Sequence, residues 1–190
     1  NWLAGAVVLI VKDNQVVYTK GSGYANRETK KTMQPDAIFR IMSQTKAITS
    51  FAVMQLLEKG KFRLDQSIAD FIPSFKNPTV IKSFNRADSS YTSGPAKREI
   101  TFRDLLTHSS GISYPDIGND TMQAIYAKHR IPSGLGYFNE NLLAKMSDLG
   151  KLPLLHQPGE RFTYGLNTDL LGCLVEVISG ESLESFCHKN

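Results

Sequence analysis

The chain has 190 residues, 41% hydrophobic and 21% charged, with 22 Lys+Arg against 18 Asp+Glu. It is long enough to bury a core, and 14 glycines with 8 prolines exclude collagen-like and broadly disordered classes. The basic clusters Arg27–Lys31 and Lys97–Arg98 are interleaved with acids, so no nucleic-acid partner is expected. The longest apolar run, Ala4–Val11, is too short for a membrane span.

In chain order, Ala6–Val11 and Gln15–Tyr18 read as strands of a β-hairpin, because Lys12-Asp13-Asn14 between them is turn chemistry. A strand apolar on both faces expects cover on both sides. Gly21 to Asp36 reads as a loop. From Ser43 to Lys59 the pattern predicts a helix stopped by Gly60, with Ile48, Phe51, Ala52, Val53, Met54, Leu56 and Leu57 on nearly every face. Such a helix is expected to be buried at the centre of the molecule. Leu64–Pro73 suggests a short helical piece ended by Pro73, and Ser74–Glu99 reads as irregular. Thr101 with Asp104 three residues on predicts a capped helix start. Further helices are expected over Thr121–His129, Asn139–Leu149 (closed by Gly150) and Thr168–Ser179 (closed by Gly180). The balance is α+β, with residues 1–42 as N-terminal strands and 43–190 as a mainly helical region.

Three segments could carry chemistry. In Ser43-Gln44-Thr45-Lys46 the spacing places an amine one helical turn from a hydroxyl. A serine needs such a base to act as nucleophile, and a helix start aims N–H groups at a developing oxyanion. With 17 serines and 14 lysines about one Ser-x-x-Lys arises by chance, and a serine at a helix start is commonly a plain N-cap. Tyr164 lies on a loop entering a helix, where a phenol relays protons if cationic neighbours lower its pKa; alone, it reads more simply as a core tyrosine. In Leu105–Gly111, His108-Ser109 invites a triad reading, but a helix end with a C-terminal histidine explains it more simply. His129, His156 and His188 have no ligand spacing, and Cys173 and Cys187 match no zinc site, so no metal is expected.

Together these segments resemble the serine β-lactamase and penicillin-binding-protein-like superfamily, in its class C, D-alanyl-D-alanine carboxypeptidase and family VIII esterase branch. The resembling stretches are Ala4–Val8 with its hairpin, Phe39–Lys46, Leu105–Ile112, and Pro158–Tyr164 through Gly172 to Gly180, in the family's order. The resemblance implies a β-lactamase/transpeptidase-like fold and an acyl-enzyme mechanism without cofactor or metal. Ser43 would be the nucleophile, Lys46 its base, and Tyr164 the group that protonates the leaving group and later activates water. The Ser43 N–H would form half of an oxyanion hole. The implied substrates are small esters, amides or β-lactams, and the implied location is the periplasm or cell envelope.

Two departures bear on this. The family's Tyr-x-Asn reads here as Tyr164-Gly165-Leu166-Asn167, which sets Asn167 one residue late as a substrate-binding amide and favours the esterase-like branch. The family's third motif, on a C-terminal strand, does not occur before Asn190. The expectation is therefore an N-terminal portion with C-terminal strands absent, little activity in these 190 residues, and self-association through exposed strand edges. The chain begins Asn1-Trp2-Leu3 with no signal peptide, as a mature or trimmed form does. The alternatives are a class C-type β-lactamase, a D-alanyl-D-alanine carboxypeptidase, or a peptidoglycan- or peptide-binding module without turnover.

Overall fold

Asp13 and Asn14, two residues that tolerate left-handed backbone, set the first element with φ of 49° and 59°. They join β1 (Gly5–Lys12) to β2 (Gln15–Asn26) as an antiparallel hairpin in which Lys12 faces Gln15. Residues 2–133 and 141–190 are described by this computed structural model. They fall into two compact units, Asn1–Met42 and Ser43–Asn190.

In the first unit β2 continues through the stretch expected as a loop and pairs with the short β3 (Lys31–Thr32). Glycine makes this possible: a Cβ on Gly23 would stand 2.4 Å from the Ala4 carbonyl oxygen. Val8, Leu9, Ile10, Val11, Val16 and Val17 are exposed.

The second unit opens with α1 (Thr45–Glu58), preceded by a 3₁₀ turn over Met42–Gln44 and followed by Gly60 at a φ of 66°. Contrary to expectation, α1 is not buried all round. Thr49, Ala52, Val53 and Leu56 are buried, whereas Ile48, Phe51 and Met54 are exposed. Pro73 begins rather than ends a turn, at the first position of a 3₁₀ segment, where its missing N–H has no consequence. The stretch expected to be irregular contains a hairpin, β4 (Thr79–Phe84) with β5 (Tyr91–Pro95). Its inner residues Val80, Ile81, Phe84 and Tyr91 pack on the core, while the exposed Lys82, Ser83, Thr92 and Ser93 gave the segment its loop-like composition.

Thr101 caps α2 (Phe102–Leu106) with the expected capping box: its hydroxyl accepts from the Asp104 N–H, and Asp104 accepts from the Thr101 N–H. α3 (Asp120–Lys128) follows the Asn119 cap. α4 (Leu142–Leu149) is capped by Asn141; the expected start at Asn139 lies outside the described residues. Gly150 does not close α4 in a left-handed turn, since its φ is −62°; a Cβ there would meet Ser74 Oγ at 2.7 Å. The hub is α5 (Asn167–Ser179), closed as expected by Gly180 at a φ of 75°. Asn167, Thr168, Leu170, Leu171, Gly172, Cys173, Leu174 and Val175 are buried as it packs on α1, α2, α4 and a further, unexpected helix, α6 (Leu183–Lys189).

A part-buried ion pair anchors α2. Arg98 grips Asp104 with two hydrogen bonds, at 2.5 and 2.8 Å, and the Asp104 side chain is only 4% exposed. Burial pushes the Asp104 carboxyl up, but the Arg98 and Thr101 hydrogen bonds together outweigh it and hold its pKa below the ordinary aspartate value. Because the folded value lies below the unfolded one, the contribution is complete above the unfolded pKa and disappears as pH falls through the folded pKa. Asp104→Ala is expected to lower unfolding free energy at neutral pH by about 2–3 kcal/mol. In denaturant titrations at successive pH values that gap should close on acidification; a gap that persisted into acid would contradict the assignment.

Candidate active site

Met42 has a φ of 50°, a left-handed conformation that an unbranched non-glycine side chain adopts only under local constraint. The next residue is Ser43, exposed in the turn that leads into α1, and Lys46 follows one turn later, half-buried. Both therefore project from the start of one rigid helix.

Tyr164 arrives from 121 residues away, and its loop is pinned at both ends. The Gly159 and Thr163 N–H groups donate to the Ser109 and His108 carbonyls at 2.8 and 2.7 Å, and the Leu166 N–H donates to the Ser113 carbonyl at 3.3 Å. His156, buried beneath, bonds Thr163 Oγ1 through Nε2 at 2.8 Å. Gly165 is obligatory by space: a Cβ there would lie 2.2 Å from the Ile112 carbonyl oxygen. The segment Leu105–Ile112, read from sequence as little more than a helix end, is thus the bed on which the Tyr164 loop lies.

The result brings Ser43, Lys46 and Tyr164 together. Ser43 Oγ and Tyr164 OH are 2.9 Å apart, and Lys46 Nζ sits 5.0 Å from the Tyr164 ring centroid and 6.0 Å from that of Tyr114. The Lys46 amine, followed by the Ser43 hydroxyl, holds the Tyr164 phenol below the ordinary tyrosine pKa, against a smaller opposing effect of burial. A phenol in this position can accept the serine proton and return it to a leaving group.

Asn167, expected as a substrate-binding amide, is the first residue of α5. It is fully buried, its Oδ1 accepting from Ser110 Oγ at 2.5 Å and its Nδ2 lying 3.0 Å from His108 Nδ1. The helix turn carries it inward because it is the first residue of α5, not the last residue of the loop.

Three neighbours were not assigned to the site from sequence. His108, with a φ of 53° just past α2, lies nearly parallel to Tyr164 with ring centroids 5.4 Å apart. Tyr114 lies likewise at 5.7 Å. Burial raises the carboxyl pKa of Asp169, the Lys46 charge opposing that rise. His108 had been singled out with its segment; Tyr114 and Asp169 carried no motif. Among the described residues no group of three or more His, Cys, Asp or Glu side chains could hold a metal ion, and no helix is long and apolar enough to cross a membrane.

Comparison with known proteins places the chain in a family. The fold matches EstCE1, a hydrolase with promiscuous acyltransferase activity, with a TM-score of 0.82 at 31% identity over 98% of this chain and 45% of that one. It also matches simvastatin synthase LovD of Aspergillus terreus, with a TM-score of 0.77 at 27% identity over 99% of this chain and 47% of that one. In sequence it is 30% identical to esterase EstB of Burkholderia gladioli over 181 residues, 95% of this chain and 42% of that protein. These are mixed α/β proteins of the β-lactamase/transpeptidase fold, matched here over their N-terminal part. The Beta-lactamase family model covers residues 1–190, and the chain belongs to that family. It spans less than half the length of these relatives.

Tyr114, Tyr126 and Tyr164, three of the tyrosines of this unit, should separate on titration. Burial raises Tyr114, and complete burial raises Tyr126 further, while Tyr164 is lowered. Following tyrosinate absorbance with pH, Tyr164 should ionise first of the three. Tyr164→Phe should remove that step and Lys46→Ala should move it upward; a Tyr164 that ionised no earlier than Tyr114 would contradict the geometry.

Proposed function

We propose that this chain carries the nucleophile, base and proton-transfer group of a serine hydrolase that works through an acyl-enzyme. The observation that carries the reading is the 2.9 Å contact between Ser43 Oγ and Tyr164 OH beside the Lys46 amine. Ser43 Oγ adds to the carbonyl carbon of an ester, and its proton passes to the Lys46–Tyr164 pair. The Ser43 N–H, in the turn that begins α1, stabilises the oxyanion. As the tetrahedral intermediate collapses, the carbon–oxygen bond to the alcohol breaks and the alcohol leaves with that proton. Water, deprotonated by Tyr164, then attacks the acyl-serine; the acid is released and Ser43 regains its proton.

Esters are favoured over peptide-like amides and β-lactams because the buried Asn167 carboxamide is engaged by Ser110 and His108. The names of the relatives support the same direction, since they include an esterase and acyltransferases. If an alcohol replaces water in the second half, the same acyl-serine gives acyl transfer. A location in the cell envelope, with a small-molecule substrate, belongs to this proposal.

The test is hydrolysis of a chromogenic short-chain ester by the full-length protein. Ser43→Ala and Lys46→Ala should each lower kcat by about 10⁴-fold or more, and the double variant should be no worse than either, as for groups that act as one unit. Full activity in Ser43→Ala would overturn the assignment.

A further inference from the structure

The hydrogen bonds behind His108 run in one direction. The Ile112 backbone N–H donates to Ser110 Oγ at 3.0 Å, and the Ser110 hydroxyl donates to Asn167 Oδ1 at 2.5 Å. This turns the carboxamide so that its Nδ2 faces His108 Nδ1 at 3.0 Å. An amide nitrogen donates and does not accept, so Nδ1 is the acceptor and a neutral ring carries its proton on Nε2. Ser110 and Asn167 are both fully buried, so water does not compete for either bond. A proton on Nδ1 would point at the Asn167 N–H with no acceptor.

We propose that Ser110 and Asn167 are positioning residues that hold His108 as its neutral, Nε2-protonated tautomer, and so keep an uncharged ring of fixed orientation against Tyr164 throughout turnover. The proposal rests on Tyr164 being the proton-transfer group. The groups that face this pair are Lys46 and Ser43 at the start of α1, Asp169 on α5, and Tyr114 and Phe162 from the adjoining loops. Burial first, then the Lys46 charge, keep the His108 pKa below the ordinary histidine value, which acts in the same direction as the hydrogen bond. The consequence is chemical. An imidazolium 5.4 Å from the phenol ring would stabilise the phenolate further, and Tyr164 would become a poorer acceptor of the serine proton.

The experiment is imidazole ¹⁵N NMR on the labelled full-length protein, together with the pH profile of ester hydrolysis. In the wild type, His108 should show a protonated Nε2 and an unprotonated Nδ1 from weakly acid to alkaline pH. In Asn167→Asp the carboxylate accepts instead of donating, so Nδ1 should gain a proton and the ring should be charged at neutral pH. The Tyr164 titration, read against Tyr164→Phe in the same background, and the acid limb of kcat should then both move down by about one pH unit. Ser110→Ala frees the amide without adding charge and should give mixed tautomers, while Ser110→Thr should restore the wild-type spectrum. These two variants carry the test if Asn167→Asp does not fold. A wild-type His108 protonated on Nδ1, a single unchanged tautomer in Ser110→Ala, or an unmoved Tyr164 titration in a folded Asn167→Asp would overturn the proposal. The NMR reading does not depend on turnover, so full activity in Ser43→Ala would remove the proposed function while leaving the tautomer lock standing.

Discussion

The packing of α1 on α5 is the constraint on which the site depends. α1 contributes Thr49, Ala52, Val53 and Leu56, and α5 contributes its buried stripe including Leu170, Leu171 and Leu174. Gly172 keeps the approach close, since a Cβ there would touch Thr49 Cγ2 at 3.9 Å and press on Leu183 at 3.1 Å. Ser43 and Lys46 sit at the head of one helix and Tyr164 just before the head of the other. A shift of either helix along the other would open the 2.9 Å contact between Ser43 and Tyr164. Apolar burial between two helices thereby sets a distance between polar atoms that no local turn could set.

Around that contact the charges are balanced rather than merely gathered. Lys46 lowers the Tyr164 pKa, adds to the larger effect of burial in lowering that of His108, and opposes the burial-driven rise of Asp169. Lowering a phenol brings it toward its working range, and lowering a histidine keeps it neutral; one amine does both. Asp169 opposes the lysine by raising Tyr114 and Tyr164. The site is thus a small electrostatic unit whose members cannot be altered singly without moving the others.

Features governed by neighbours in sequence were legible before the structure. The Asp13-Asn14 turn, the Thr101–Asp104 capping box and the Gly60 and Gly180 stops are local chemistry, and each stands where the residues predict. The Ser43–Lys46 spacing belongs with them. Features governed by contacts distant in sequence were not legible. The β4–β5 hairpin was hidden because its exposed serines, threonine and lysine mimic a loop, while its few apolar residues reveal their purpose only against the core. Residues on every side of α1 suggested full burial, yet Ile48 and Phe51 are bare and α5 is the hub. Asn167 was read one position at a time along the chain, but the first turn of α5 rotates it into the interior. Tyr114 and Asp169 reach the site only through the path of the loops and the helix that hold them.

The family resemblance read from a few short stretches extends over the whole chain, and the relatives are about twice its length or more. Our proposal for these residues is a serine made reactive by a lysine and a tyrosine. The most direct test of that claim is mass-spectrometric mapping of the adduct left on the full-length protein by a fluorophosphonate. The account predicts a single modified peptide containing Ser43, with labelling abolished in Lys46→Ala; an adduct on another serine, or undiminished labelling without Lys46, would contradict it.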